Sequence, residues 1–321
     1  MKKISSDSYE KNWLKGEEKM KIVIAGGSGF IGQKLVDFLL SEGHEIVILT
    51  RRPKKDTRGV TYVKWLEEGA NPENEIGSAD VFINLAGVSI NDGRWTKKHQ
   101  KQIYESRMTA TDELLRIIAA LSEKPSVLIN ASAIGIYPAS VEDVYTEDSK
   151  EMANDFLART VHDWEKKASI AESVGVRVAL LRFGVVLGNE GGALPLMTMP
   201  YKLFVGGTIG SGKQWVSWVH VVDVVRAIAF AVENDRLKGP VNVTSPSPKR
   251  MEDFGKVIGL CLKSPHWLPV PSILMKLALG KKSALVLEGQ YVVPEVLMKN
   301  GFSFLFPNLE SALGDLLTKT K

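Results

Sequence analysis

The run Lys21-Ile-Val-Ile-Ala-Gly-Gly-Ser-Gly-Phe-Ile-Gly32 constrains the fold more than any other stretch of the chain. Ile22, Val23 and Ile24 read as a buried strand. Gly26, Gly29 and Gly32 follow at spacing G-x-x-G-x-x-G, and helical periodicity begins at once with Ile31, Leu35, Phe38 and Leu39. Gly43 closes that helix, and Glu45-Ile-Val-Ile-Leu-Thr50 supplies a second strand, completing a βαβ unit. In such a turn the first glycine makes the tight bend, the second lets backbone approach a pyrophosphate, and the third lets helix pack on strand. The free N–H groups and the dipole of the helix start favour the negative phosphates. A glycine-rich turn that binds nothing is the competing reading, and the strand–turn–helix context argues against it. Gly26, Gly29, Phe30, Ile31 and Gly32 are therefore expected to hold a dinucleotide.

A site that prefers NAD(H) carries an acidic residue about 20 positions beyond the glycines, where it bonds the ribose 2′-OH. Here the second strand ends Leu49-Thr50-Arg51-Arg52-Pro53, with two arginines and no carboxylate. The guanidinium fork matches phosphate oxygens. Arg51 or Arg52 is thus expected to hold an adenosine 2′-phosphate, favouring NADP(H) over NAD(H), although a solvated basic turn would read the same way.

The βα alternation continues, with strands at 60–65, 81–86, 127–131 and 176–181 and helices over 98–121 and 155–173. Strands this apolar, separated by helices, predict an α/β fold: a Rossmann-type doubly wound parallel sheet covered on both faces. After Gly184, glycine and proline become frequent. Helices are expected through Val232 and near 251–261, 272–279, 294–300 and 309–317; Asp223 is the expected cap of the first, and 241–243 could add a strand. The expected organisation is a mobile arm at 1–19, an NAD(P)-binding Rossmann domain at 20–185, and a smaller C-terminal substrate lobe at 186–321, interleaved with the first. A small-molecule substrate would sit between them.

The net charge of +4, spread over 321 residues, gives no reason to expect nucleic acid, and no apolar run is long enough for a membrane span. A single cysteine, Cys261, excludes an internal disulfide and a cysteine-cluster metal site; the five histidines form no H-E-x-x-H, so no metal is expected. The polar first 19 residues hold no apolar core for a signal peptide, and a cytoplasmic location is the simple reading.

Gly26-Gly-Ser-Gly-Phe-Ile-Gly32, Asn84-Leu-Ala-Gly87 and Ser132 together resemble the extended short-chain dehydrogenase/reductases. The chain is most similar to an atypical subgroup, the NAD-dependent epimerase/dehydratase-like epimerase family proteins. Arg94-Trp95, Ser106-Arg107, Trp164-Glu165, Leu181-Arg-Phe-Gly-Val-Val-Leu-Gly188, Gly210-Ser-Gly212 and Trp218-Val-His-Val-Val-Asp223 support the likeness. The tail from Pro269 to Leu317 looks like that subgroup's C-terminal domain of unknown function. The resemblance implies that Asn84, Leu85, Ala86 and Gly87 border the nicotinamide and its ribose. It also implies that Ser132 hydrogen-bonds a substrate carbonyl or hydroxyl.

The superfamily's proton handler is a Tyr-x-x-x-Lys pair, in which the ammonium lowers the tyrosine pKa. None of the seven tyrosines here has lysine four residues later. Anchored on Trp164-Glu165, the two positions fall at Phe156 or Leu157 and near Val161. Tyr137 is the expected substitute, with His162, on the relevant helix, a weaker candidate. Two functions stay open: an oxidoreductase or epimerase acting on a small carbonyl, hydroxyl or nucleotide-sugar substrate, and a non-catalytic NADP(H)-binding redox sensor or regulatory protein. A homodimer is the default assembly of the superfamily.

Overall fold

The computed structural model describes residues 19–318 except Pro53 and Arg58; residues 1–18 of the expected arm lie outside the described residues. Seven strands form one sheet: β1 (Lys21–Ala25), β2 (Glu45–Thr50), β3 (Val60–Lys64), β4 (Val81–Asn84), β5 (Val127–Ala133), β6 (Arg177–Phe183) and β7 (Gly239–Val243). Their order is β7-β6-β5-β4-β1-β2-β3, and every pairing is parallel. Strand order reverses between β1 and β4, and a ligand crevice opens at the carboxyl ends of strands at such a point.

The period-two alternation of each strand explains the layers. Ile22, Ile24, Ile46, Ile48, Ile83, Ile129 and Leu181 cluster with Leu35, Leu39, Val224 and Ile228, which belong to helices α1 (Phe30–Ser41) and, further along the chain, Val221–Glu233. Val23, Val47, Phe82, Leu128 and Leu180 cluster on the other face with Leu114, Ile117 and Ile118 of α2 (Lys97–Ala120). Phe82 and Ile83 are fully buried, and full burial of such a side chain contributes roughly 1.5–3 kcal/mol.

Helix starts are fixed by side chains. Thr96 caps α2 by accepting from His99 N at 3.2 Å, and Asp155 caps α3 (Phe156–Ala168) by accepting from Ala158 N at 2.8 Å. The expected helix over 155–173 is therefore α-helical only to Ala168 and continues as a 3₁₀ segment, Ser169–Val174. At α4 (Val221–Glu233) the cap is His220, whose Nδ1 accepts from Val222 N at 3.1 Å, in place of Asp223. Asp223 is fully buried one turn inside, where it accepts from Leu305 N and Phe306 N and pairs with Arg226. It pins the C-terminal segment to the sheet layer.

The second half of the chain supplies edge strand β7 and its own apolar cluster, built around Tyr201, Trp218, Phe254, Leu309 and Leu313. The helix Ser272–Leu279 buries none of its residues. It is tied to the loop after β4 by Arg94 Nη2, which donates to Ala278 O at 3.1 Å, and by the Lys282 ammonium, which donates to Asn91 O. Among the described residues no helix is long and apolar enough to cross a membrane. Nor does any group of three or more His, Cys, Asp or Glu among them have the arrangement to hold a metal ion.

Candidate cofactor and substrate site

The glycine loop leaves β1 and turns into α1 with little room to spare. Gly26 has φ +85°, and a Cβ there would lie 2.6 Å from the carbonyl carbon of Leu85. At Gly32 a Cβ would lie 2.3 Å from Gly26 O, so the missing side chain is what lets α1 seat against the turn. Gly29 donates to Gly26 O at 3.0 Å and occupies the N-cap position with no side-chain hydrogen bond. The first turn of α1 carries no acidic residue. The leading N–H groups of Phe30, Ile31 and Gly32 have no intrahelical acceptor, so this end of the helix offers donors and a positive dipole to an anion. Phe30 has a further job. Its ring fills the space beside Gly188 and Gly191, where a Cβ would meet it at 2.4 and 2.7 Å. Lys34 Nζ, 2.9 Å from Glu190 Oε2, holds the same loop over the helix start.

The opposite wall is the end of β4. Asn84 is completely buried; its amide donates to Asn130 Oδ1 at 2.7 Å and Thr111 Oγ1 at 3.1 Å, while its oxygen accepts from Ala86 N at 3.1 Å. Asn84 thus shapes the Leu85-Ala86-Gly87 backbone from beneath. Leu85 N donates to Ala25 O, bringing this wall against the glycine loop. Arg51 and Arg52 are exposed at the end of β2, in a turn closed by Arg52 N donating to Thr50 Oγ1 at 3.2 Å. Neither forms an ion pair among the described residues. The residues present therefore fit a dinucleotide: an uncapped helix start, a backbone wall, and two exposed guanidinium groups at the end of β2 with no ion pair among the described residues.

Beyond this crevice the strand ends carry a row of polar side chains. Ser132 of β5 is in register with Arg182 of β6, and Arg182 with Asn242 of β7. Arg182 forms a two-pronged pair with Glu165 of α3, Nε to Oε1 and Nη2 to Oε2, both at 2.8 Å. Its Nη1 donates to Tyr137 Oη at 2.8 Å. The Tyr137 hydroxyl in turn points its proton toward Asn242 Oδ1 at 2.9 Å and Thr146 O at 3.0 Å. Burial works against the Arg182 charge, but Glu165 outweighs it and holds the guanidinium above its usual range. Ser132 Oγ lies 2.5 Å from Glu165 Oε1. Two oxygens that close share a proton, and a carboxylate clasped by arginine has none to give. Ser132 is the donor, which leaves it only acceptor lone pairs for a ligand.

This arrangement corrects the expectation for Tyr137. The residue is 1% exposed, stacked on Tyr145 at 5.2 Å, and its hydroxyl is engaged on all sides. Burial pushes its phenol pKa up, and the opposing charge of Arg182 does not bring it back. It offers the crevice no proton-transfer group in this arrangement. His162 is exposed beside Asp163, at 3.2 Å. The positions expected for the tyrosine–lysine pair are apolar in fact: Phe156 packs edge-on against Trp95, Leu157 lies by Gly135, and Val161 is buried with Ile134, Ile136 and Val292. Trp95 is buried, its indole donating to Ile90 O, whereas Arg94 serves the Ser272–Leu279 tie. Glu165, Arg182 and Asn242 were not singled out as site residues from the sequence. The available signal was an arginine interrupting the otherwise apolar run of β6.

The profile of the NAD dependent epimerase/dehydratase family matches residues 22–244, and that of a Domain of unknown function (DUF1731) matches residues 270–316. The chain belongs to the NAD dependent epimerase/dehydratase family. It is 48% identical over 303 residues to the epimerase family protein YfhF of Bacillus subtilis, covering 94% of this chain and 99% of that one. Among solved structures it is similar to the human epimerase family protein SDR39U1 (isoform 2) with NADPH. That match has TM-score 0.83 and 30% identity, covering 94% of this chain and all of the human one. It is also similar to a nucleoside-diphosphate sugar epimerase from Corynebacterium glutamicum, with TM-score 0.75 and 28% identity, covering 94% of this chain and 58% of that one. Like its family, this epimerase-family chain is an NAD(P)-binding protein on a Rossmann-like sheet.

Proposed function

We propose that the chain is an NADP(H)-dependent oxidoreductase or epimerase acting on a small hydroxyl- or carbonyl-bearing substrate, nucleotide sugars included. One observation carries the reading: the uncapped start of α1 faces the Asn84-shaped end of β4, with Arg51 and Arg52 and no carboxylate at the end of β2. The NADPH of the human family member supports the phosphorylated cofactor, and the sugar-nucleotide epimerase supports the substrate class. When bound, the cofactor supplies the hydride acceptor or donor. Gly26, Gly29 and the N–H groups of Phe30, Ile31 and Gly32 would hold its diphosphate, and Leu85, Ala86 and Gly87 would border the nicotinamide half. Ser132, its proton committed to Glu165, suits a substrate hydroxyl that donates to it.

The engaged Tyr137 hydroxyl favours one second reading, a protein that binds NADP(H) and reports its redox state without turnover. Calorimetric titration separates the two. NADPH is expected to bind at least tenfold tighter than NADH, and Arg51→Ala/Arg52→Ala to erase the difference. NADH binding as tightly as NADPH to the wild type overturns the phosphate assignment. Loss of reduced-nicotinamide absorbance with a panel of carbonyl substrates, or interconversion of sugar-nucleotide epimers followed by NMR, supports the enzyme. No turnover, with unequal affinities for NADPH and NADP⁺, supports the sensor, because a ligand pair without differential affinity shifts no equilibrium.

A further inference from the structure

Arg182, Arg177 and Arg107 point inward, and each meets its charge differently. Arg182 is clasped by the Glu165 carboxylate. Arg177 spends its fork on the carbonyls of Ala231, Val232 and Leu237 and lies 3.5 Å from Asp235. Arg107 of α2 has no carboxylate partner among the described residues. Its Nη1 alone makes two bonds, to Val88 O at 3.1 Å and Ile103 O at 2.9 Å, and the guanidinium stacks 5.1 Å from the Trp164 ring. Nε and Nη2 donate to none of the described residues, yet they are not sealed from solvent. The group lies against the strand-end wall, its Cζ 3.1 Å from where a Gly87 Cβ would be, and neighbouring Ser106 Oγ accepts from Val88 N at 3.0 Å. Burial pushes the Arg107 pKa down to about 10. A partly desolvated cation with half its fork open is a site waiting for an anion, since a buried charge is costly unless paired.

We propose that Arg107 is an anion-binding group of the crevice, whose open Nε–Nη2 edge takes a phosphate oxygen of a diphosphate. The proposal rests on the dinucleotide reading of the crevice. Two ligands could bring that chemistry, the cofactor itself or a nucleoside-diphosphate substrate, and a planar two-pronged donor suits either.

The test uses the full chain with Arg107→Gln and Arg107→Lys, titrated by calorimetry with NADPH, with adenosine 2′,5′-bisphosphate, and with UDP on the NADPH-loaded protein. Adenosine 2′,5′-bisphosphate probes the adenosine end without the nicotinamide half, and its unchanged binding certifies an intact fold. If the cofactor is the source, Arg107→Gln weakens NADPH at least tenfold while the bisphosphate holds. If the substrate is the source, NADPH is unchanged and wild-type UDP binding is lost in the variant. Arg107→Lys keeps the charge and the stack on Trp164 but loses the fork, so a smaller loss of the same ligand is expected; it also serves where the glutamine variant fails to fold. A folded Arg107→Gln that binds NADPH within twofold and UDP as the wild type does, or Arg107→Lys unaltered in both, overturns the role of Arg107 alone. A wild type that binds no NADPH overturns the dinucleotide reading, and Arg107 with it.

Discussion

The two ends of the crevice are built from different materials. At the β1–β4–β2 end the chain works with backbone: glycines remove side chains, the start of α1 is left uncapped, and the buried side chain of Asn84 is spent on shaping other backbone. At the β5–β6–β7 end it works with side chains, and Ser132, Glu165, Arg182, Tyr137 and Asn242 use their hydrogen-bonding capacity on one another. Free donors make a receptor for anions, whereas mutually satisfied groups make a rigid frame. The difference teaches that one end of the crevice presents unsatisfied backbone donors, while at the other the polar side chains satisfy one another.

The sharpest break in that contrast is Glu165→Ala, which strands the Arg182 charge inside the protein. Unfolding in urea is expected to show a loss of about 3–5 kcal/mol, with much of it recovered in the apolar double replacement Glu165→Leu/Arg182→Met. A loss within 1 kcal/mol would mean the frame carries no weight. Next in size is Gly26→Ala, which forces a side chain into a left-handed backbone against Leu85; about 1–3 kcal/mol of strain is expected, together with loss of NADPH binding in the calorimeter. Unaltered NADPH affinity there would detach the loop from the cofactor. Tyr137→Phe removes one hydroxyl from the frame, and a destabilisation of about 1 kcal/mol with unchanged cofactor affinity is the expected outcome.

The smallest effect is a pH dependence at Glu147, whose Oε1 accepts from Asn242 N and Val296 N while Oε2 is buried without a partner. Burial, opposed by those N–H groups, raises its carboxyl above the usual glutamate value. The folded state therefore holds this proton more tightly than the unfolded chain does. The contribution is fully present below the ordinary glutamate pKa and is lost as pH rises through the raised one. Glu147→Gln should match wild type in urea midpoint in mild acid and exceed it at neutral pH; midpoints that run parallel across that range would refute the assignment.

Much of the fold could be read from local pattern. The strands of β1 to β6 are apolar runs bounded by turn signals, and the glycine loop announces itself because its chemistry lies within twelve consecutive residues. The Ser272–Leu279 helix was legible too, though not that it buries nothing. The frame was not legible. Tyr137 and Asn242 are 105 residues apart, and only the register of three strands brings them together. From the sequence, a tyrosine shortly after a strand reads as pointing into the crevice. Position alone does not say that an arginine on the neighbouring strand will claim its oxygen. The helix cap failed for a related reason: Asp223 is a good cap by type, but Leu305 and Phe306 offer it two amide donors from the far end of the chain.

The row formed by Ser132, Arg182 and Asn242 has a consequence for how the sheet assembles. Parallel strands this rich in valine, leucine and alanine could pair one residue out of step with little change in apolar contact. A slip of β6 by a single residue, however, would turn Arg182 to the opposite face, into the layer of Leu181, Val241, Val243 and Ile228 and away from Glu165. The polar row thus acts as a proofreading mark: it penalises each wrong alignment of the β5–β6–β7 edge during folding, when the apolar residues alone could not tell right from wrong.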